Sequence, residues 1–140
     1  MKAEIKSIFS WDVPNGDLEH WTPPEKDFGI FLMLFIGTEG DKKSDCFDLL
    51  VCTPGWLSKE LEEALIETGQ YTIFVNSFDY AALSEYVNAY VNRCEGNSWP
   101  EVASKLDHLA SWEFKTDNTY ISRRGIAQRT RNFPVEQRSP

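Results

Sequence analysis

Apolar and polar residues near the N-terminus follow the pattern of β-strands. In residues 2–11 the two kinds of side chain alternate, and this period of two predicts a half-buried strand. Residues 28–36 are apolar on both faces and predict a central strand, while residues 46–52 predict a third. The residues between the second and third strands contain glycine and several charges, as a hairpin loop does. The first part of the chain therefore predicts three successive strands.

A helix and a fourth strand are predicted next. Thr53 and Pro54 indicate the start of the helix, because threonine caps helix N-termini and proline fits the first helical position. An apolar stripe at helical spacing continues it: Leu57, Leu61, Ala64 and Leu65. Gly69 is expected to end the helix. Residues 71–78 are rich in β-branched and aromatic side chains and predict a strand.

Two more helices and a short strand complete the pattern. Asp79 is expected to cap the second helix and Gly96 to end it, while Ser98 is expected to precede the third. Residues 111–115 then predict a short final strand. The order βββαβααβ predicts an α+β domain, in which about three helices pack on a mainly antiparallel sheet.

The connection between the first two strands is too long for a simple turn. Residues 12–27 contain three prolines and Trp21. Loops of this length in compact domains are commonly functional or disordered. Two interpretations of Trp21 stay open: it folds back over the sheet to cap the core, or it contacts a partner.

Charge divides the chain into two parts. The length of 140 residues fits one domain. The 22 acidic and 14 basic residues give a net charge of -8. This negative charge argues against nucleic acids or anionic membranes as partners. Residues 1–115 carry 9 Lys and Arg and 20 Asp and Glu, a net of -11, whereas residues 116–140 carry five Arg and two acids, a net of +3. We therefore predict a domain over residues 1–115 and an arginine-rich extension over 116–140. The arginines of the extension are Arg123, Arg124, Arg129, Arg131 and Arg138.

The cysteines and the N-terminus indicate a cytoplasmic protein. Cys46, Cys52 and Cys94 are an odd number without paired-motif spacing, which favours reduced thiols that serve as small core residues. The first residues contain no hydrophobic signal region. The longest apolar run, Phe28 to Gly37, is ten residues and too short to cross a bilayer as a helix.

Catalytic and metal-binding patterns are weak. The chain has no zinc-ligand spacing, no phosphate-binding glycine loop and no nucleophile elbow, so neither a metal nor a cofactor is expected. A small thiol-dependent hydrolase that pairs Cys52 or Cys94 with His108 stays open as an alternative, and slow alkylation of all three thiols would argue against it. A generic interaction adaptor is the other alternative, which the neighbouring gene would distinguish.

Several strings, in this order, resemble a known family. They are MKAEIKSIFS, FGIFLMLFIG, FDLLVCTPGWL, YVNRCEGNSWPEVASKL and WEF. Together they are similar to the immunity protein 8 family of bacterial polymorphic and contact-dependent toxin systems, over about residues 1–115. The resemblance implies a non-enzymatic inhibitor that binds the C-terminal toxin domain of its own system and protects the producing cell. We interpret the signature aromatics Trp99, Trp112 and Phe114 as core residues, with Trp112 and Phe114 on one buried face of the last strand.

Recognition of a particular toxin is then expected on surfaces that the family pattern leaves free. An acidic surface suits a basic toxin, such as a nuclease. The candidate toxin-binding residues are Glu60, Glu62, Glu63 and Glu67 of the first helix, Glu39, Asp41 and Asp45 of the hairpin, and Trp21 of the long connection. All seven acidic side chains are expected to be exposed, and an ordinary solvated helix face stays open as the alternative interpretation of the four glutamates.

Overall fold

The sheet is built on three long strands. A computed structural model describes residues 1–115, and the predicted extension 116–140 lies outside the described residues. The strands are β1 (Ala3–Phe9), β2 (Gly29–Thr38), β3 (Asp45–Cys52), β4 (Thr72–Phe74) and β5 (Ser111–Trp112). The helices are α1 (Pro54–Ala64), α2 (Tyr80–Asn92) and α3 (Trp99–Leu106). This order confirms the α+β prediction, although β4 is shorter than predicted.

The strands form one mainly antiparallel sheet. β1 pairs with β2 and β2 with β3, both antiparallel, so the three long strands form a meander. β4 lies parallel to the end of β3, which requires a crossover connection, and α1 supplies it. β5 pairs antiparallel with the start of β3, where Trp112 faces Phe47.

The main core lies on one face of the sheet. Because side chains alternate along a strand, Leu32 and Leu49, which pair across β2 and β3, point to the same face. There they belong to one apolar cluster with the buried residues of α2 and α3. Those helix residues are Leu83, Val87, Val91, Val102, Ala103 and Leu106.

A smaller apolar cluster lies on the opposite face. It consists of Phe31, Leu50 and Cys52, with Trp56 and Leu57 of α1 packed against it. The sheet is therefore covered by α2 and α3 on one face and by the start of α1 on the other.

The predicted N-caps Thr53 and Asp79 are confirmed, but the predicted ends of α1 and α2 are wrong, since α2 ends at Asn92, before Gly96. The side chains of Thr53, Asp79 and Ser98 accept hydrogen bonds from the first turns of their helices. α1 ends at Ala64, before Gly69, because Leu65 takes a φ of 67° that a helix does not continue.

The last strand also differs from its prediction. Trp112 is half-buried and stacks on Phe47 with ring centroids 6.5 Å apart. Phe114 is 62% exposed, so its predicted burial is wrong. The strand stops at Trp112, and the Lys115 N–H donates back to the Trp112 carbonyl at 3.3 Å. This turn breaks the alternation that would have put Phe114 on the core face.

Candidate functional site

Helix α1 is attached to the domain mainly at its start. Thr53 accepts hydrogen bonds from the backbone N–H groups of Trp56, at 3.3 Å, and of Phe28, at 3.1 Å. The first contact caps the helix, and the second ties it to the residue that precedes β2. Beyond Trp56 and Leu57 the helix contributes little to the core, since none of its residues is buried.

The acidic side chains of α1 divide between two sides of the helix. Glu60 lies on the half-buried side, with Leu61, whereas Glu62 and Glu63 are exposed on the outer side. Glu67, in the segment after the helix, is also half-buried. The expectation that Glu60 and Glu67 are exposed is therefore wrong. As surface charges, Glu62 and Glu63 contribute little to folding stability.

Two large aliphatic residues follow the helix on the surface. Leu65 and Ile66 are 77% and 84% exposed, and Leu65 has the positive φ noted above. A bulky residue with positive φ costs free energy, and such conformations are enriched at functional sites. The apolar spacing predicts that Leu65 continues the helical stripe, and that spacing carries no signal that the helix ends before it.

The hairpin between β2 and β3 is less acidic than its two exposed carboxylates suggest. Glu39 and Asp41 are exposed, but Lys42 and Lys43 stand beside them, so the loop is close to neutral. The Asp41 carboxylate also accepts a hydrogen bond from the Lys43 N–H at 3.1 Å, which fixes the turn. Electrostatic attraction of a basic partner is therefore weaker here than at α1.

Asp45 has a structural contact that the sequence did not reveal. Its Oδ2 accepts hydrogen bonds from the indole Nε1 of Trp99, at 2.7 Å, and of Trp112, at 2.9 Å. The side chain is half-buried, so the expectation that Asp45 is a freely exposed charge is wrong. It joins β3 to α3 and β5.

The hairpin and the start of α1 lie at opposite ends of β3. The seven residue steps from Asp45 to Cys52 span about 24 Å in an extended strand. The structure therefore gives two separate groups of candidate residues, one at the hairpin and one on α1.

Trp21 packs on the core. Its ring makes edge contacts with Phe28 and Phe78, at centroid distances of 5.7 and 4.9 Å. This confirms the interpretation that Trp21 covers part of the main cluster. Trp21 also lines a cleft of about 620 Å³ between the long connection and the start of α1. The sequence pattern gave no sign of this cleft, because the residues 12–27 that form one wall have no periodicity.

The three cysteines are buried and form no disulfide with one another. Burial raises the pKa of the Cys94 thiol and outweighs the opposing effect of the nearby Lys105 and Arg93 charges. His108, the predicted alternative base, is exposed, whereas Cys52 lies in the small cluster beneath α1. A reactive cysteine needs an accessible site that stabilises its thiolate, and neither Cys52 nor Cys94 has one.

The described residues contain neither a metal-binding cluster nor a membrane-spanning helix. Within residues 1–115, no group of three or more His, Cys, Asp or Glu side chains is placed to hold a metal ion. None of the helices in this range is long and apolar enough to span a membrane.

Comparison with known proteins identifies a family. No curated protein and no solved structure matches the chain. The family model described as immunity protein 8 matches residues 3–117, which include all five strands and three helices. The chain belongs to the immunity protein 8 family.

Proposed function

We propose that this protein is a stoichiometric inhibitor that binds the C-terminal toxin domain encoded beside it and blocks the toxin's active site or substrate surface. Membership of the immunity protein family supports a toxin partner. Inhibition by binding needs no catalytic group, which agrees with the inaccessible thiols. We place the protein in the cytoplasm of the producing cell, where unpaired thiols stay reduced.

The observation that carries the proposal is the surface formed by α1 and the residues after it. We define the α1 surface as Glu62, Glu63, Leu65 and Ile66. Folding does not account for these residues, because all four are exposed and α1 has no buried residue. Aliphatic side chains among carboxylates are what a protein interface needs, since the apolar groups supply affinity and the charges supply specificity.

The charge of the domain indicates the chemistry of the partner. Residues 1–115 carry a net charge of -11, which favours a toxin domain with a basic surface. Complementary charge raises association rates toward about 10⁸–10⁹ M⁻¹s⁻¹ at low salt. A nuclease is the toxin class we favour, because an enzyme that binds nucleic acid needs such a surface.

Co-expression with the adjacent toxin gene tests this function. Growth should be rescued, the two proteins should copurify at a ratio of one to one, and the intact mass of the toxin should be unchanged. Rescue accompanied by a cleaved or modified toxin would show that the protein is an enzyme. Failure to rescue or to copurify would contradict the proposed function.

A further inference from the structure

The cleft beside the start of α1 has aromatic walls and an acidic rim. Trp21 and Trp56 contribute indole rings, and Pro14 and Pro24 contribute further apolar surface. Glu25 and Asp27 line the same cleft and are exposed. No Lys, Arg or His is among the described residues that line it, so the cleft is electrostatically suited to a cation.

Packing around the cleft holds both indole rings in place. The ring of Trp56 lies against Gly29, where even a Cβ would collide with it. Trp21 is held by its edge contacts with Phe28 and Phe78. Rings that are fixed before binding lose little conformational entropy when a ligand arrives.

The rim carboxylates differ in how closely they are tied to the fold. Asp27 lies against Gly55 in the first turn of α1, since a side chain at Gly55 would collide with the Asp27 carboxylate. That position favours a negative charge, because helix N-termini carry a partial positive charge. Glu25 lies in the long connection and is exposed, so it can be changed with little risk to folding.

A guanidinium group fits this combination of surfaces best. Its plane stacks on indole rings, its N–H groups pair with carboxylates, and its aliphatic stem packs on apolar walls. Because Trp56 belongs to α1, the cleft is joined through that helix to the α1 surface.

We propose that this cleft receives an arginine side chain of the toxin domain. This inference rests on the proposed function, because the toxin is the basic partner that would supply the side chain. The occupied cleft would add an anchoring contact to the long-range attraction of the α1 surface. Interface energy is commonly concentrated in such anchors.

The cleft can be tested first without the toxin. N-acetyl-arginine methylamide would be titrated into the full-length protein while the indole N–H resonances are followed by NMR. Trp21 and Trp56 should shift in a saturable manner. Trp99 and Trp112 are internal controls, because their Nε1 groups are bonded to Asp45, and they should not move. The neutral analogue N-acetyl-citrulline methylamide should have no effect, and equal shifts with both probes, or none with either, would overturn the proposal.

Variants then test whether the toxin uses the cleft. Glu25→Gln should weaken the probe's affinity for the cleft, and the further change Asp27→Asn should weaken it more. The double variant should weaken toxin binding by about tenfold or more. Glu19→Gln combined with Glu85→Gln removes two negative charges, as the double variant does, but from exposed positions outside the cleft. This control should change neither the probe-induced shifts nor the affinity for the toxin. If Glu25→Gln and the double variant bind the toxin as tightly as wild type, the cleft proposal is wrong while the proposed function stands. If the wild type does not bind the toxin, the proposed function fails, and the cleft's assignment to the toxin fails with it.

The arginine-rich residues 116–140 are the rival occupant. Replacing their five arginines with glutamine in the full-length chain tests this directly. We expect the Trp21 and Trp56 resonances and the affinity for the arginine probe to stay unchanged. A tenfold gain in probe affinity would show that the chain's own arginines fill the cleft, and would overturn its assignment to the toxin.

Discussion

The carboxylate of Asp45 accepts a hydrogen bond from the indole Nε1 of Trp99 at 2.7 Å. The same oxygen accepts a second hydrogen bond from Trp112 at 2.9 Å, so one acidic residue holds α3 and β5 against the start of β3. Asp45 therefore differs in role from Glu62 and Glu63, which are exposed on the outer side of α1.

Replacement of Asp45 should destabilise the domain. In Asp45→Ala two indole N–H groups lose a charged acceptor, and we expect the free energy of unfolding to fall by about 2–3 kcal/mol. Glu39→Ala, an exposed carboxylate at the other end of the hairpin, should change it by less than about 0.5 kcal/mol. Urea denaturation measures both. Equal stability of the two variants would show that the Asp45 contacts contribute nothing.

Trp112 and Phe114 should respond differently to truncation. Trp112→Ala removes a half-buried ring from Phe47 and should cost about 3 kcal/mol. Phe114→Ala removes a ring that is 62% exposed and should cost far less. Thermal unfolding of the two variants compares their losses of stability. A larger loss from Phe114→Ala would mean that the last strand extends beyond Trp112.

All three thiols should react slowly in the native protein. Cys46, Cys52 and Cys94 are buried, and burial also raises the pKa of the Cys94 thiol, which lowers its thiolate fraction. Iodoacetamide should label them at a small fraction of the rate seen in denaturant, with the sites read by mass spectrometry. A thiol that reacts as fast in the native protein as in denaturant would contradict this prediction and would favour the alternative of a thiol-dependent hydrolase.

The pKa of His20 should lie above its ordinary value. The Asp17 carboxylate lies 2.9 Å from His20 Nδ1; its hydrogen bond raises the pKa of His20, and the same hydrogen bond lowers the pKa of Asp17. Because the folded-state pKa of His20 is raised, its contribution to stability is present below the unfolded value and is lost as pH rises through the folded value. The pKa of Asp17 is lowered, so its contribution to stability has the opposite pH dependence: it is present above the unfolded value and is lost as pH falls through the folded value. The pair therefore stabilises the fold at pH values between the two titrations.

An NMR titration of the histidine ring protons measures this effect. Asp17→Asn should return the His20 pKa toward its ordinary value. Both side chains are largely exposed, so the accompanying change in stability should be small. An unchanged His20 pKa in Asp17→Asn would show that the pair does not form in solution.

Local signals predicted more of this protein than long-range ones. Thr53 and Asp79 were correctly identified as caps, and Ser98 as the residue before a helix, because each of these signals depends on residues two or three positions away. The end of α1 was predicted too late. Leu65 fits the apolar spacing of the helix, and Gly69 is the first glycine after it, so the sequence gives no signal for an end at Ala64. Whether a helix continues depends on the surface available to it, which the sequence pattern does not describe.

In the candidate site, too, local features could be predicted from the sequence and long-range contacts could not. The exposed glutamates of α1 were found, because a charged helical face is visible in the sequence. The contacts of Asp45 and the cleft were missed, because each joins residues that are distant in the chain. Trp56 and Trp21, for example, line one cleft although 35 positions separate them.

The α1 surface makes a specific prediction about association with the toxin. Glu62→Lys combined with Glu63→Lys should slow association at low salt and weaken its salt dependence, because two steering charges are reversed. Stability should hardly change, since both side chains are exposed and α1 has no buried residue. The matched control is Glu85→Lys with Glu95→Lys, which reverses two exposed charges on and just after α2, the helix that packs on the opposite face of the sheet.

Stopped-flow measurement of toxin association, at low and at high salt, is the most direct test of the claim that this protein neutralises its toxin through α1. The account predicts that the Glu62/Glu63 variant associates at least about tenfold more slowly than the Glu85/Glu95 control at low salt, and that the difference shrinks at high salt. Equal association rates of the two variants at both salt concentrations would contradict it and remove α1 from the binding surface.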